Sequence, residues 1–409
     1  MKPNALLATV MLLALTSTRL DAAPAAPPPA NPLPRTPMDA TADAGAAKAT
    51  APRRVLISGH SLTDQPLPDY LAAIAQSQGL PWDWQRQYVV GSSIKDRSAG
   101  RPSNPDQAPW NGYRSGLNRS GENLDMLKEL RAAGAGPEPY DTLLITEQHS
   151  VLGGLVWNDT VRHLRHFHDR FIEANPRGRT WFYESWFGID DKADPRRWID
   201  YERAASVVWR CVATRINVSL EAEGRADRIQ ALPAGRALAH LVERATVAPG
   251  VEGLSGTSLD TPEARRATVD KLVRDDVHLT PLGLYYVALV TSAALTQAPQ
   301  AASWAPPEID AATAAALQRE ASAFVEQWRK EAAREDLAAC RRFVQRDFIR
   351  IYWSYLRDKD WIEKQGRLRA SLRWLTQSVQ WQWRMARDNA ANPFWYDAAS
   401  DKSYWLPPP

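Results

Sequence analysis

Five short apolar runs, spaced so that a helix fits between most neighbours, constrain this chain more than anything else in it. They are Val55-Leu56-Ile57, Trp84 to Val90, Thr142-Leu143-Leu144-Ile145-Thr146, Thr180-Trp181-Phe182-Tyr183-Glu184 and Arg228 to Leu232. Each has the length and make-up of a buried strand. Helical spacing is read over 66–75, 123–133, 159–174 and 204–220, from about Gly235 onward, and over 282–295. Such alternation predicts a three-layer α/β domain over residues 53–297, with a mostly parallel five-stranded sheet. Ligands of such sheets bind beyond the carboxyl ends of the strands, so the residues that follow each run are the candidates for chemistry. The stretch 96–121 reads as a long polar loop carrying Trp110 and Tyr113.

The remaining composition narrows the function classes. With 409 residues, 44% of them hydrophobic, the chain can bury a full core, which excludes wholesale disorder and collagen-like repeats. A formal net charge of +3 is too small to point to a nucleic-acid partner. Two cysteines, Cys211 and Cys340, build neither a disulfide scaffold nor a four-thiolate zinc site. No cofactor is expected.

Residues 1–22 read as a secretory signal, with Lys2, the apolar run Ala5 to Leu15, and small residues around Ala22, Ala23 and Ala25. That run is short for a bilayer core of about 30 Å, although a retained anchor is the alternative. Residues 23–52, rich in Ala and Pro, read as an extended tether. The expected location is therefore periplasmic or secreted. There, Cys211 and Cys340 either bridge, pinning the C-terminal region to the α/β unit, or remain two separate buried thiols.

Two motifs carry the chemistry. The first is Ile57-Ser58-Gly59-His60-Ser61-Leu62, a serine on the turn that leaves the first strand. There the Ser61 N–H can face a developing oxyanion, or Ser61 can simply cap a helix. The second is Asp275-Asp276-Val277-His278-Leu279-Thr280-Pro281-Leu282-Gly283, just before the last helix of the unit. A carboxylate three residues before an imidazole can orient one ring nitrogen while the other serves a serine nucleophile. Asp275 is the expected orienter and Asp276 the alternative.

Together these blocks resemble the SGNH (GDSL-type) hydrolase superfamily, in a divergent exported branch. Gly59-His60-Ser61-Leu62 stands for its first block, and Asp275 to His278 followed by Leu279-Thr280-Pro281-Leu282-Gly283 for its last. The resemblance implies a three-layer, flavodoxin-like sheet and a catalytic set of Ser61, His278 and Asp275. It also implies an oxyanion hole from the N–H groups of Ser61 and Gly91. Two departures stand out. His60 replaces the usual Asp beside the nucleophile. The third block, normally Gly-x-Asn-Asp, is replaced by Thr146-Glu147-Gln148-His149-Ser150, in which Gln148 is the nearest side chain able to donate. Asn158-Asp159 occurs later, about ten residues too far along. Glu147, Trp110, Tyr183 and Glu184 are the expected substrate contacts, and polar and aromatic loop residues (Asn104, Trp110, Asn111, Tyr113, Arg114) lean towards sugar rather than lipid.

The implied activity is an exported serine esterase or O-acyltransferase acting on acylated carbohydrate, such as polysaccharide O-acetyl groups. The rival readings are an inactive polysaccharide-binding or assembly module and a general carboxylesterase or lipase. A metal at His163 and His166 is disfavoured, because no partner ligands at suitable spacing stand out.

Beyond a linker at 298–307, residues 298–409 read as a Trp-rich helical region with segments over 311–333 and 337–357. In a third segment Leu368, Leu372, Leu375 and Val379 repeat at helical spacing. From Ala338 to Arg387 there are 12 Lys or Arg against 4 Asp or Glu, with Trp353, Trp361, Trp374, Trp381 and Trp383 interleaved. Three readings stay open: packing of the Trp residues on the α/β unit, binding of a glycan or assembly partner, and contact with a membrane surface.

Overall fold

A computed structural model describes residues 53–101, 110–136, 138–247, 249–256, 259–296, 304–331 and 335–407. The apolar run at 5–15 and the Ala/Pro-rich tether at 23–52 lie outside the described residues. All five expected strands form: β1 (Arg54–Gly59), β2 (Asp83–Tyr88), β3 (Thr142–Thr146), β4 (Arg179–Tyr183) and β5 (Ile229–Leu232). They make one parallel sheet in the order β2-β1-β3-β4-β5. This is a doubly wound order, and its direction of travel reverses at the β1/β3 boundary, where such sheets open a crevice. Register places the strand ends level: Ser58 pairs with Gln87 and Ile145, and Thr146 pairs with Tyr183.

Parallel crossovers are right-handed as a rule, so connections that run first one way and then the other along the sheet cover both its faces. Helices α1 (Leu67–Ser77), α2 (Ile94–Ser98), α3 (Met126–Ala135), α4 (Val151–Trp157) and α5 (Thr160–Ala174) precede the long α6 (Arg196–Ala222). Then come α7 (Ala234–Thr246), α8 (Pro262–Asp270) and α9 (Pro281–Thr296). α1 packs on α9, while α3 and α6 both pack on α5, which gives the three layers. The expected loop at 96–121 starts inside α2, whose N-terminus is closed by a capping box between Ser93 and Asp96.

The C-terminal region is helical and belongs to the same compact unit. α10 (Ala311–Glu331) packs on α9. α11 (Leu337–Phe343), α12 (Ile349–Leu356) and α13 (Ile362–Gln365) are joined by π-helical turns at Val344–Phe348 and Arg357–Trp361, and α14 (Arg367–Arg387) packs on α12. The segment read as one helix over 337–357 thus runs on with wider turns. Nor is 298–307 a free linker where it is described: Trp304 packs on Tyr70 and Tyr285, and its carbonyl accepts from the Tyr285 hydroxyl at 2.9 Å. Cys211 on α6 and Cys340 on α11 form a disulfide across 129 residues. Tyr355 stacks on Tyr201 of α6 at 4.6 Å and donates to the Gly188 carbonyl at 2.6 Å. Trp353, Trp361 and Trp381 are buried, Trp374 is half-buried, and Trp383 is exposed.

Candidate active site

The turn after β1 leaves room for no side chain at Gly59, where a Cβ would stand 1.9 Å from Thr63 Oγ1. The chain then passes His60 in an extended conformation and enters a 3-10 turn at Ser61–Thr63. As the first residue of that turn, Ser61 has an N–H with no acceptor inside it. His60 is buried: Nε2 donates to the Glu147 carbonyl at 3.0 Å, and Nδ1 accepts from Leu62 N–H at 3.4 Å. Burial first, then the charge of Arg97, lowers its pKa to about 3, so the imidazole is neutral.

The Asp275–His278 loop, which precedes α9, meets this turn. Asp275 Oδ1 accepts from Val277 N–H at 2.9 Å and His278 N–H at 2.7 Å, while Oδ2 lies 2.9 Å from His278 Nδ1. His278 Nε2 lies 3.1 Å from Ser61 Oγ. Partial burial pushes the Asp275 carboxyl up, but the two backbone N–H groups and the imidazole outweigh it and hold it well below the usual carboxylate range. Asp276 does not share the orienting role: its Oδ2 pairs with Lys359 Nζ at 2.9 Å. The loop is fixed from behind by Trp186 Nε1 on the Val277 carbonyl and by Ile189 N–H on the Asp276 carbonyl, both at 2.7 Å.

Gly91 follows β2 with a φ of +62°, the left-handed region that suits glycine. Gln148 Nε2 reaches its carbonyl at 3.4 Å, which brings the loop after β3 against the loop after β2. Asn158, too distant in sequence to stand in the third block, donates to Gln148 Oε1 at 3.4 Å. Spacing alone sets it aside; the short helix α4, which ends at Trp157, brings it back to Gln148.

The expected substrate contacts need correction. Glu147, Tyr183 and Glu184 are buried, so no solute reaches them. Glu147 instead accepts from Ile94 N–H at 3.2 Å, Gln148 N–H at 2.6 Å and Thr160 Oγ1 at 2.9 Å. Burial pushes its pKa up to about 7 against the pull of Arg97 and these donors. It is a clamp on the loops, not a ligand for substrate. Glu184 accepts from Ser206 Oγ at 2.9 Å. Trp110 lies under the Arg101 guanidinium at 4.1 Å and lines, with Tyr113 and Arg131, a cavity of about 1390 Å³ that includes no residue of the Ser61–His278–Asp275 set.

Two residues at the site carry no motif signal. His149, half-buried, sits edge-on to Phe187 at 5.4 Å, and Lys359 arrives from the second π-helical turn of the C-terminal region. The three histidines of α5 are separately engaged. His163 meets Ser98 at 2.9 Å, His166 meets Tyr113 at 2.9 Å and His168 meets Asp227 at 2.7 Å.

No family model matches the chain, and no curated protein is similar to it. Among solved structures it is similar to a DUF4886 family protein from Bacteroides uniformis, with 15% identity and a TM-score of 0.44 over 67% of this chain and 95% of that one.

Proposed function

We propose that the chain is a serine esterase or O-acyltransferase of the SGNH type, exported, and acting on acyl groups carried by carbohydrate. One observation carries this reading: the Ser61 Oγ, His278 and Asp275 side chains stand in hydrogen-bonded series, at 3.1 Å and 2.9 Å. A helix cap has no use for an imidazole on its hydroxyl, and a pure binding module has no use for the carboxylate behind it.

Ser61 Oγ attacks the ester carbonyl carbon while its proton passes to His278 Nε2. The carbonyl oxygen becomes an oxyanion facing the N–H groups of Ser61 and Gly91, with the Gln148 amide as third donor. Collapse breaks the bond to the alkoxy oxygen, which leaves with the proton from His278, and Ser61 keeps the acyl group. Water, or a sugar hydroxyl, then adds to the acyl carbon and gives its proton to His278. The second collapse releases acid or new ester and returns the proton to Ser61. Asp275, an acceptor only, holds Nδ1–H and stabilises the imidazolium.

A polar carrier is favoured over a long acyl chain, since the side chains next to the Asp275–His278 loop and to Gly91 are polar: Lys359 pairs with Asp276, His149 lies near Asp276 and His278, and Gln148 reaches the Gly91 carbonyl. Treatment with a serine-reactive fluorophosphonate tests the nucleophile before the substrate. The expected adduct is on Ser61, absent in Ser61→Ala and slowed on the order of 10³-fold or more in Asp275→Asn. A folded protein that gives no adduct overturns the reading.

A further inference from the structure

α14 has two apolar stripes, and only one of them is covered. Ala370, Trp381 and Met385 are buried, with Trp374 packed beside them. On the opposite side Leu368 is 75% exposed, Leu372 47%, Leu375 51%, Val379 55% and Trp383 59%. At 100° per residue these five side chains fall within an arc of about 80° and run for roughly 22 Å. Soluble proteins seldom leave so long a row of large apolar groups in water without a partner.

The charge on the helix identifies the occupant. α14 holds Arg367, Arg369, Arg373, Arg384 and Arg387 and no Asp or Glu. Arg369 and Arg387 flank the stripe on one side, with Arg373 and Arg384 next round on that same side, as 100° spacing requires. Where the stripe ends, Trp383, Arg384, Arg387, Asp388 and Trp395 line a cavity of about 660 Å³ that carries two arginines against one carboxylate, with the Arg387 guanidinium over the Trp383 ring at 5.0 Å. A second copy docked on this face would bring arginines to arginines with no carboxylate on either helix. A glycan stacks on planar rings, and four of the five exposed groups are aliphatic. An anionic bilayer satisfies all three features: acyl chains take Leu and Val, Trp suits the headgroup boundary, and Arg meets phosphate. Among the described residues no helix is long and apolar enough to cross a membrane, so contact would be in the plane of the surface.

We propose that the exposed face of α14 docks on an anionic phospholipid surface, with Leu368, Leu372, Leu375, Val379 and Trp383 in the headgroup–acyl boundary. The arginines beside them then pair with lipid phosphates. This inference is independent of the acyl-transfer reading.

Flotation of the full chain with vesicles of phosphatidylglycerol and phosphatidylcholine, against phosphatidylcholine alone, tests it. The N-terminal apolar run is common to every variant, so the comparison isolates α14. Flotation is expected with the anionic vesicles, to weaken with added salt, and to fall about tenfold or more in Leu372→Glu/Val379→Glu. Arg369→Gln/Arg387→Gln leaves the apolar stripe intact and should weaken anionic binding alone; it decides the matter if the Glu variant does not fold. Equal flotation of parent and variants overturns the proposal, as does a parent that stays with the protein fraction. A self-associating parent whose Glu variant is monomeric would also overturn it and give the face to a second copy.

Discussion

His60 has no place for a second proton. Its Nε2 donates to the Glu147 carbonyl and its Nδ1 accepts from Leu62 N–H, so protonation would set a new N–H against an existing one. The folded pKa, about 3, lies below the ordinary 6.5, so the unfolded chain binds the extra proton between those values. Stability from this group is complete above pH 6.5 and is lost as pH falls towards 3. Glu147 acts with the opposite sign, since burial raises its pKa from 4.5 to about 7 and the folded state holds the proton there. The two effects overlap, and a difference measurement separates them. His60→Asn keeps an acceptor for Leu62 N–H and removes the titration. In urea unfolding from pH 7 down to pH 4, the parent should lose stability faster than this variant, by up to about 1.4 kcal/mol per pH unit. Parallel curves would mean that His60 is protonated without cost.

Arg97, on the short helix α2, ties the carboxyl edge of the sheet together. Its Nε donates to Ser58 Oγ at 3.0 Å, Nη1 to the Ser92 carbonyl at 3.0 Å, and Nη2 to the Thr146 carbonyl. These are the ends of β1 and β3 and the loop after β2, the three segments that carry Ser61, Gln148 and Gly91. Arg97→Met removes those bonds and leaves the Glu147 carboxyl without its nearest cation, an expected loss of about 3–5 kcal/mol by denaturant titration. A loss under 1 kcal/mol would assign the edge to backbone pairing alone. Little of this is visible in sequence. The apolar runs place the five strands to within a residue or two because burial itself selects their composition, and the Ser61 and Asp275–His278 motifs are local. What a strand-end position does not fix is which way its side chain points, and that is why Glu147, Tyr183 and Glu184 read as substrate contacts. The same holds for α14: Ala370, Trp374, Ser378, Trp381 and Met385 repeat at helical spacing as well as Leu368, Leu372, Leu375 and Val379 do. Periodicity reports two stripes, and only packing against α12 selects the covered one.

At the scale of the molecule, the C-terminal helices complete the α/β unit instead of hanging from it. Tyr355 fills the space beside Phe187 and Tyr201, Tyr352 meets Ser150 at 2.7 Å next to the β3 loop, and Arg215 of α6 pairs with Asp401 at 2.6 Å. Lys359 then braces Asp276, one residue from Asp275 and two from His278. The Asp275–His278 loop is therefore held partly by a residue more than 80 positions downstream, and the Cys211–Cys340 disulfide closes the loop of chain that lies between the two regions. Linking residues 129 apart restricts the unfolded chain by roughly 4–5 kcal/mol in the chain-entropy account. Cys211→Ser/Cys340→Ser should accordingly lower the melting temperature by roughly 5 °C in a chain of this length. Because Tyr355 and Lys359 still dock through noncovalent contacts, the same variant should keep fluorophosphonate labelling of Ser61 at temperatures below its own transition. If labelling disappears while the α/β unit remains folded, the disulfide sets the geometry of the Asp275–His278 loop directly. A reductant added to the parent should reproduce the variant's melting curve.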